Sequence, residues 1–415
     1  MAIGDLLHQT PVTTPDPYTG CPVTRLTPPD HTSHHMYFYN RMVTSDSSRL
    51  LYCAEINGRR NLYLMELATG DAVQLTEGDA LDDYGAMISA DDKSVYYQQD
   101  RKVWKLDLAT LQRTCLYAAP DGWDCGNWGM SDDNRYLVMT ETRRDTLPDL
   151  TGKKGWEFFP LTCAAKPLCH IVYLDTQTGE HHIVVEDRCW FGHAQLRPGD
   201  PDYAAVQRLA LRGFFPEWEA GLDRPLDAST ARLWSSLAGR GITSDGSRYR
   251  CARPQPKDVI ITHEFWMPTG DRLAYVYRKA DDGSTETIRM MRPETLEEEL
   301  FMPCLPYAHF ICDRQRRWFV GDCQGQETPI HLQTGEGRGQ EVRNDFIYLV
   351  DIARKKEIPL CYHGTSWTTI HGTPQDAHPH PCFTPDGSGV VFTSDREGKP
   401  CVYLAKTAGA AAKGE

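Results

Sequence analysis

The chain has 415 residues, with 44 Lys and Arg set against 57 Asp and Glu, a formal charge of −13. That balance excludes a diffuse attraction to nucleic acid or to an anionic membrane, so any anionic ligand must be met by a local cluster. With 40% hydrophobic and 24% charged residues and no run near the ~18 apolar residues of a membrane helix, the composition is that of a globular protein. Met1 to Leu7 carries neither the basic nor the apolar region of a secretion signal, and the 14 cysteines are scattered with no CxxC pair. A cytoplasmic chain with reduced thiols is expected.

In chain order, the sequence repeats a pair of patterns: a polar turn leading into a strand, then an alternating apolar strand closed by a second turn. The pairs are SDSSRLLYC (from Ser45) with NLYLMELATGD (61–71), SADDKSVYY (Ser89) with KVWKLDLATLQ (102–112), and SDDNRYLVM (Ser131) with HIVYLDTQTGE (170–180). They continue as RPGDPDYAAV (Arg197) with ARLWSSLAGRG (231–241), MPTGDRLAYV (Met267) with TIRMMRPETLE (287–297), CDRQRRWFV (Cys312) with FIYLVDIARKK (346–356), and TPDGSGVVF (Thr384) with CVYLAKTAGAA (401–411). Seven short-strand repeats, spaced a little above the ~40 to 45 residues of a minimal four-stranded blade, predict an all-β fold, a single seven-bladed β-propeller domain over 1–415. A pair of β-sandwiches is the other arrangement such strands permit, but it gives no reason for a count of seven.

The last repeat stops near Leu404 with no sequence left for a fourth strand. PVTRLT (22–27) resembles the AVQLT (72–76) that closes the first full repeat, so the N-terminal strand is expected to close the last blade. Insertions are predicted near 142–168, 206–230 and 321–343, and long loops on a rigid scaffold are where ligand contacts concentrate.

No GxSxG elbow, Walker loop, GxGxxG or HExxH is present, so the chemistry must come from another constellation. Histidine placement supplies one. His193 in GHAQLRP, His263 in THEFWMP and His380 in HPHPCFTP each stand five residues before the proline of a turn, one equivalent level in three repeats. His309 in YAHFICD falls within one position of that level, His378 lies two residues before His380 on the same face of an extended strand, and Gln375 stands three residues further back. Neutral imidazoles are common metal ligands, so His309, Gln375, His378 and His380 form a candidate site with positions open to substrate. Ligand preference alone favours zinc, iron or nickel there over manganese.

The motifs THEFW, AHFICD, QDAHPHPCFTPDG and FTSDREGKPCVYLAK, together with YTGCPVTRLTPPDHTSHHMYFYNR and LTEG (75–78), resemble the oligogalacturonate lyases, cytoplasmic seven-bladed propeller enzymes that cut galacturonate oligomers by β-elimination. The resemblance spans about residues 18 to 406. It implies a manganese ion (Mn2+) held by His309, Gln375, His378 and His380, a proton-abstracting His263, an active-site arginine at Arg232, and an anionic oligosaccharide as partner. Two departures stand out: VQRLALRGFFPEWEAGLDRPLDAST (206–230) replaces a short CHEGP-like segment, and His35 stands where the family has an arginine after the first histidine of its N-terminal motif. The substrate-facing candidates are accordingly His34, His35, His193 and Trp218, and the substrate is left open between an oligogalacturonate and a glucuronate-containing or rhamnose-linked oligomer. Two alternatives compete with the lyase: an idle TolB-like binding module, and a metal site serving another reaction of a sugar acid.

Overall fold

A computed structural model of the chain describes residues 2–153, 158–209, 235–243, 250–251, 259–279, 286–292, 295, 297–324, 330–333, 339–368 and 377–408. The fold is all-β: among the described residues seven sheets of four or five antiparallel strands follow one another as the blades of a β-propeller, and helix is confined to short pieces such as Phe158–Ala165. The paired sequence patterns become the second and third strands of each sheet, for example Ser94–Gln99 with Lys102–Asp107 and Gly389–Ser394 with Cys401–Lys406. Ser94–Gln99, Phe346–Asp351 and Gly389–Ser394 are buried along their whole length, and the second of these, FIYLVD, is accordingly a near-continuous apolar run.

The turns before four of the second strands share one chemistry. Thr44, Ser89, Ser131 and Thr384 each donate a side-chain hydroxyl to the aspartate two residues on, at 2.6 to 2.7 Å. Each hydroxyl also accepts the backbone N–H five residues on, which fixes where the strand begins. These donors hold the carboxyls of Asp46 and Asp91 below the usual range, Asp46 at about 2. The residue after the aspartate is left-handed, Asp92 at φ 57° and Asn134 at 61°, and glycine takes that place at Gly387.

Closure by the N-terminus is as expected and more extensive. Pro22–Arg25 pairs with Cys401–Lys406, Val12–Pro15 adds a further strand outside it, and Leu6–Leu7 pairs with Ala72–Gln74 at the edge of the first sheet. The chain forms two compact units, residues 1–115 with 306–415, and residues 116–305. Of the expected insertions, 142–168 contributes the helix Phe158–Ala165, and 206–230 lies mostly outside the described residues. The third leaves the sheet after Trp318–Cys323, makes the hairpin of Ile330–Gln333 with Gly339–Val342, and returns as Phe346–Asp351, which pairs with the strand it left. Twelve cysteines, among them Cys21, Cys169, Cys323 and Cys401, are free thiols, and no described helix is long and apolar enough to cross a membrane.

Candidate metal centre and active site

In the unit formed by residues 1–115 and 306–415, three histidines that are distant in sequence meet. His309 lies on Tyr307–Cys312, an edge strand of its sheet, and His378 and His380 lie on the segment leading into Cys382–Phe383, an edge strand of another. One ring nitrogen from each lies within 4.8 Å of the other two, and all three residues are buried. Each orientation has a local cause. The His309 backbone N–H donates to Asp322 Oδ1 at 2.6 Å, and its Nδ1 lies 2.8 Å from Asp322 Oδ2. With Nδ1 taken by a carboxylate, the proton sits there and Nε2 is left as the ligand atom. Asp322 is fully buried and stands opposite His309 in the register of the neighbouring strand.

The HPH segment is held through its backbone. The Pro379 carbonyl accepts the Thr393 N–H at 3.0 Å and faces His35 Nε2 at 3.0 Å, while His35 Nδ1 faces the Met36 carbonyl at 2.6 Å. His380 is left-handed at φ 46°, a conformation uncommon for a residue with a Cβ and one that re-aims its ring. His378 Nδ1 and His380 Nε2 face each other at 3.3 Å. Burial pushes the His378 pKa well down, so its imidazole is neutral at neutral pH, the form in which histidine ligates metals. Tyr37 and Tyr84 flank the His380 ring at centroid distances of 4.9 and 5.9 Å. This donor set, three inward-facing imidazoles of which one is fixed by a carboxylate behind it, fits a divalent transition ion.

His34 and His35 are brought to this centre but turned away from solvent, at 3% and 0% exposure. His34 stacks on Tyr84 at 4.0 Å, and its Nε2 lies 3.4 Å from Asp83 Oδ2. His34, Cys53 and Asp83 also group closely, yet Arg60 sits 3.3 Å from the same Asp83 oxygen and already supplies a positive charge. His35 serves as a prop beneath Pro379, with burial holding its pKa down to about 4 against the two carbonyls that favour its proton.

In the unit formed by residues 116–305, His193 and His263 lie with ring centroids 5.7 Å apart. Both sit at β-bulges of edge strands, where the register slips between Gly192 and Gln195 and between Thr262 and Phe265. Both are left-handed, at φ 47° and 52°. Three histidines at one repeat position thus share one unusual backbone state, as bulges beside functional sites often do. Next to His263, Glu264 is 1% exposed, its Oε2 lies 3.7 Å from His193 Nδ1, and neither carboxylate oxygen accepts a hydrogen bond among the described residues. Gln195 Nε2 donates to the Glu264 carbonyl at 2.8 Å. Arg232, Trp218 and Gln375 lie outside the described residues.

Sequence reasoning missed Asp322 and Glu264. Asp322 was recoverable: the turn that pairs Cys312 with Phe319 also sets 309 against 322. Glu264 had no such signal, because a bulge decides on which side of the strand it falls.

A β-propeller carrying a buried three-histidine cluster, with two more histidines on strained bulges, defines a metalloenzyme-like propeller. The family profile described as oligogalacturonate lyase matches residues 1–411. Among curated relatives, an oligogalacturonide lyase of Pectobacterium atrosepticum is 34% identical over 409 residues, and an oligogalacturonate lyase of Dickeya dadantii is 35% identical over 411, each covering 98% of both chains. A solved oligogalacturonate lyase in complex with manganese matches with a TM-score of 0.82 and 34% identity over 98% of both chains. The enzyme of that name from Vibrio parahaemolyticus matches at 0.81 and 31%, over 98% of this chain and 99% of the other. The chain belongs to the oligogalacturonate lyase family and is an enzyme of the lyase class.

Proposed function

We propose that this protein cleaves short oligogalacturonates by β-elimination in the cytoplasm, with a divalent ion, Mn2+, held by His309, His378 and His380 and by Gln375 from outside the described residues. The observation that carries the reading is the meeting of three imidazole nitrogens within 4.8 Å in a chain of this family. Imidazole preference alone would favour zinc or iron, and manganese is chosen because a relative of near-complete coverage is solved in complex with it.

A divalent ion at these ligands supplies charge withdrawal from a uronate carboxylate, which acidifies the neighbouring C5–H. The chain's own groups do the rest. His263, bent out of its strand by the bulge, takes the C5 proton as general base. Arg232 grips a carboxylate in the bidentate manner suited to guanidinium. The electron pair of the C5–H bond becomes the C4=C5 double bond, and the C4–O4 pair leaves with the departing sugar, giving a 4,5-unsaturated uronate end. His193 and Trp218 are assigned to the sugar.

His34 and His35 are assigned away from the sugar, as props of the metal segment and of Tyr84. Membership of the oligogalacturonate lyase family favours galacturonate over a glucuronate-containing oligomer. The test incubates the purified protein with digalacturonate and trigalacturonate, with and without Mn2+ after chelation, and follows ultraviolet absorbance of the unsaturated product. Metal-dependent product supports the proposal; full activity after thorough chelation, or no unsaturated product from any uronate oligomer, rejects it.

A further inference from the structure

Beside the three histidines lies a residue the reaction as described does not use. The Trp367 ring centroid is 5.1 Å from that of His378 and 6.5 Å from that of His309, with its plane within 8° of the His309 ring. The indole is half-buried and its Nε1 is buried, yet this N–H donates to no acceptor among the described residues. A buried donor without an acceptor is costly and rare in native structures, and such groups collect where a ligand completes them.

The backbone points the same way. Trp367 is left-handed at φ 58°, a conformation that bulky side chains rarely adopt and that persists only where the surroundings enforce it. Here they do. The Ser366 N–H donates to Asp395 Oδ1 at 2.8 Å, and the Ser366 hydroxyl bonds the same carboxylate. The Thr368 carbonyl accepts the N–H of Ala377, the residue preceding His378, at 2.7 Å. His363, fully buried, accepts the Thr365 N–H at Nδ1 and faces the Cys323 carbonyl at Nε2. The residue is therefore clamped in a strained backbone and tied directly to the metal-ligand segment, with its one polar atom unanswered among the described residues.

We infer that Trp367 is a substrate-binding residue: its indole N–H donates to the carboxylate of the uronate drawn to the His309–His378–His380 centre. The inference rests on the proposed lyase reading and adds a residue to it. An indole has no metal-ligand atom, so its contribution belongs to the sugar acid and leaves the ion alone.

The test separates those two quantities. In a His263→Ala background, which blocks turnover, Trp367→Phe removes the N–H and keeps an aromatic ring. Mn2+ affinity and then trigalacturonate affinity of the Mn2+-loaded protein are measured by titration calorimetry, with the thermal midpoint as a check on folding. The expected result is unchanged Mn2+ affinity and a trigalacturonate Kd weakened on the order of 10- to 100-fold, the loss typical of a hydrogen bond to a charged group. An unchanged trigalacturonate Kd overturns the inference. So does a variant that loses Mn2+, because Trp367 would then be packing that shapes the metal cluster. If the wild-type protein itself binds no Mn2+, the lyase reading fails first and the inference falls with it, an outcome distinguishable from both.

Discussion

The carboxylate behind His309 offers the sharpest test of how the metal centre is built. Asp322 has no exposure and satisfies two donors of one residue, the His309 N–H at 2.6 Å and Nδ1–H at 2.8 Å. Asp322→Asn changes no volume, but an amide offers one acceptor face where the carboxylate offered two. If the amide oxygen serves the backbone N–H, the NH2 group faces Nδ1 and drives the imidazole proton to Nε2, the ligand atom. If the amide is turned round, two N–H groups face each other. Either way His309 is no longer held as a ready ligand. Loss of a partner behind a metal-bound imidazole typically costs 10- to 100-fold in metal affinity, about 1.4 to 2.7 kcal/mol. Asp322→Ala should fall in the same range and in addition lose folding stability, about 1 to 3 kcal/mol for each buried donor left unanswered. The assay is Mn2+ titration of metal-stripped protein at neutral pH, alongside urea unfolding without metal. Wild-type Mn2+ affinity in both variants would refute the assignment of His309 as a ligand positioned by Asp322.

His263→Ala should keep its Mn2+ and lose ~10² to 10⁴ in the rate of unsaturated-product formation, whereas His378→Ala should lose ion and activity together; a metal-free His263→Ala would make His263 a ligand. Glu264→Gln should unfold at the same temperature as wild type or higher, since it replaces a buried carboxyl whose oxygens accept no described hydrogen bond, while the loss of that carboxyl beside His193 and His263 lowers the turnover rate at least ~10-fold. Full activity with lowered stability would instead make Glu264 structural. His35 provides a pH test. Its folded pKa of about 4 lies below the ordinary 6.5, so as pH falls from 6.5 to 4 the unfolded chain takes up a proton that the folded chain refuses, and stability drops. His35→Gln should flatten urea-unfolding free energy over that window by up to about 1.4 kcal/mol per pH unit, and an unchanged slope would show that His35 carries its proton when folded.

The strands were legible because their cause is local. Alternating apolar residues behind a Ser/Thr-x-Asp turn specify a strand start wherever they occur, as the hydroxyl bonds of Thr44, Ser89, Ser131 and Thr384 show. Recurrence of seven turn-and-strand units, at intervals stretched by the insertions, was enough to give the sheet count, and the incomplete last repeat was enough to assign its outer strand to Pro22–Arg25. Histidines at one turn-relative position were likewise visible, because each stands a fixed number of residues before its turn.

What the sequence left open depended on contacts between segments far apart in the chain. Nothing local distinguishes His309, aligned by Asp322 from the next strand, from His263 and His193, which are set on bulges. The His34–His35 pair read as sugar-facing because the resemblance puts an arginine at position 35; in the structure both are buried, His35 beneath Pro379 and His34 against Tyr84. Trp367 gave no signal at all, since its strained backbone and unanswered N–H exist only once Asp395 and Ala377 clamp the segment around it. Periodicity fixes which residues can face one another, but orientation within a site is set by hydrogen bonds that close only when the sheets are assembled.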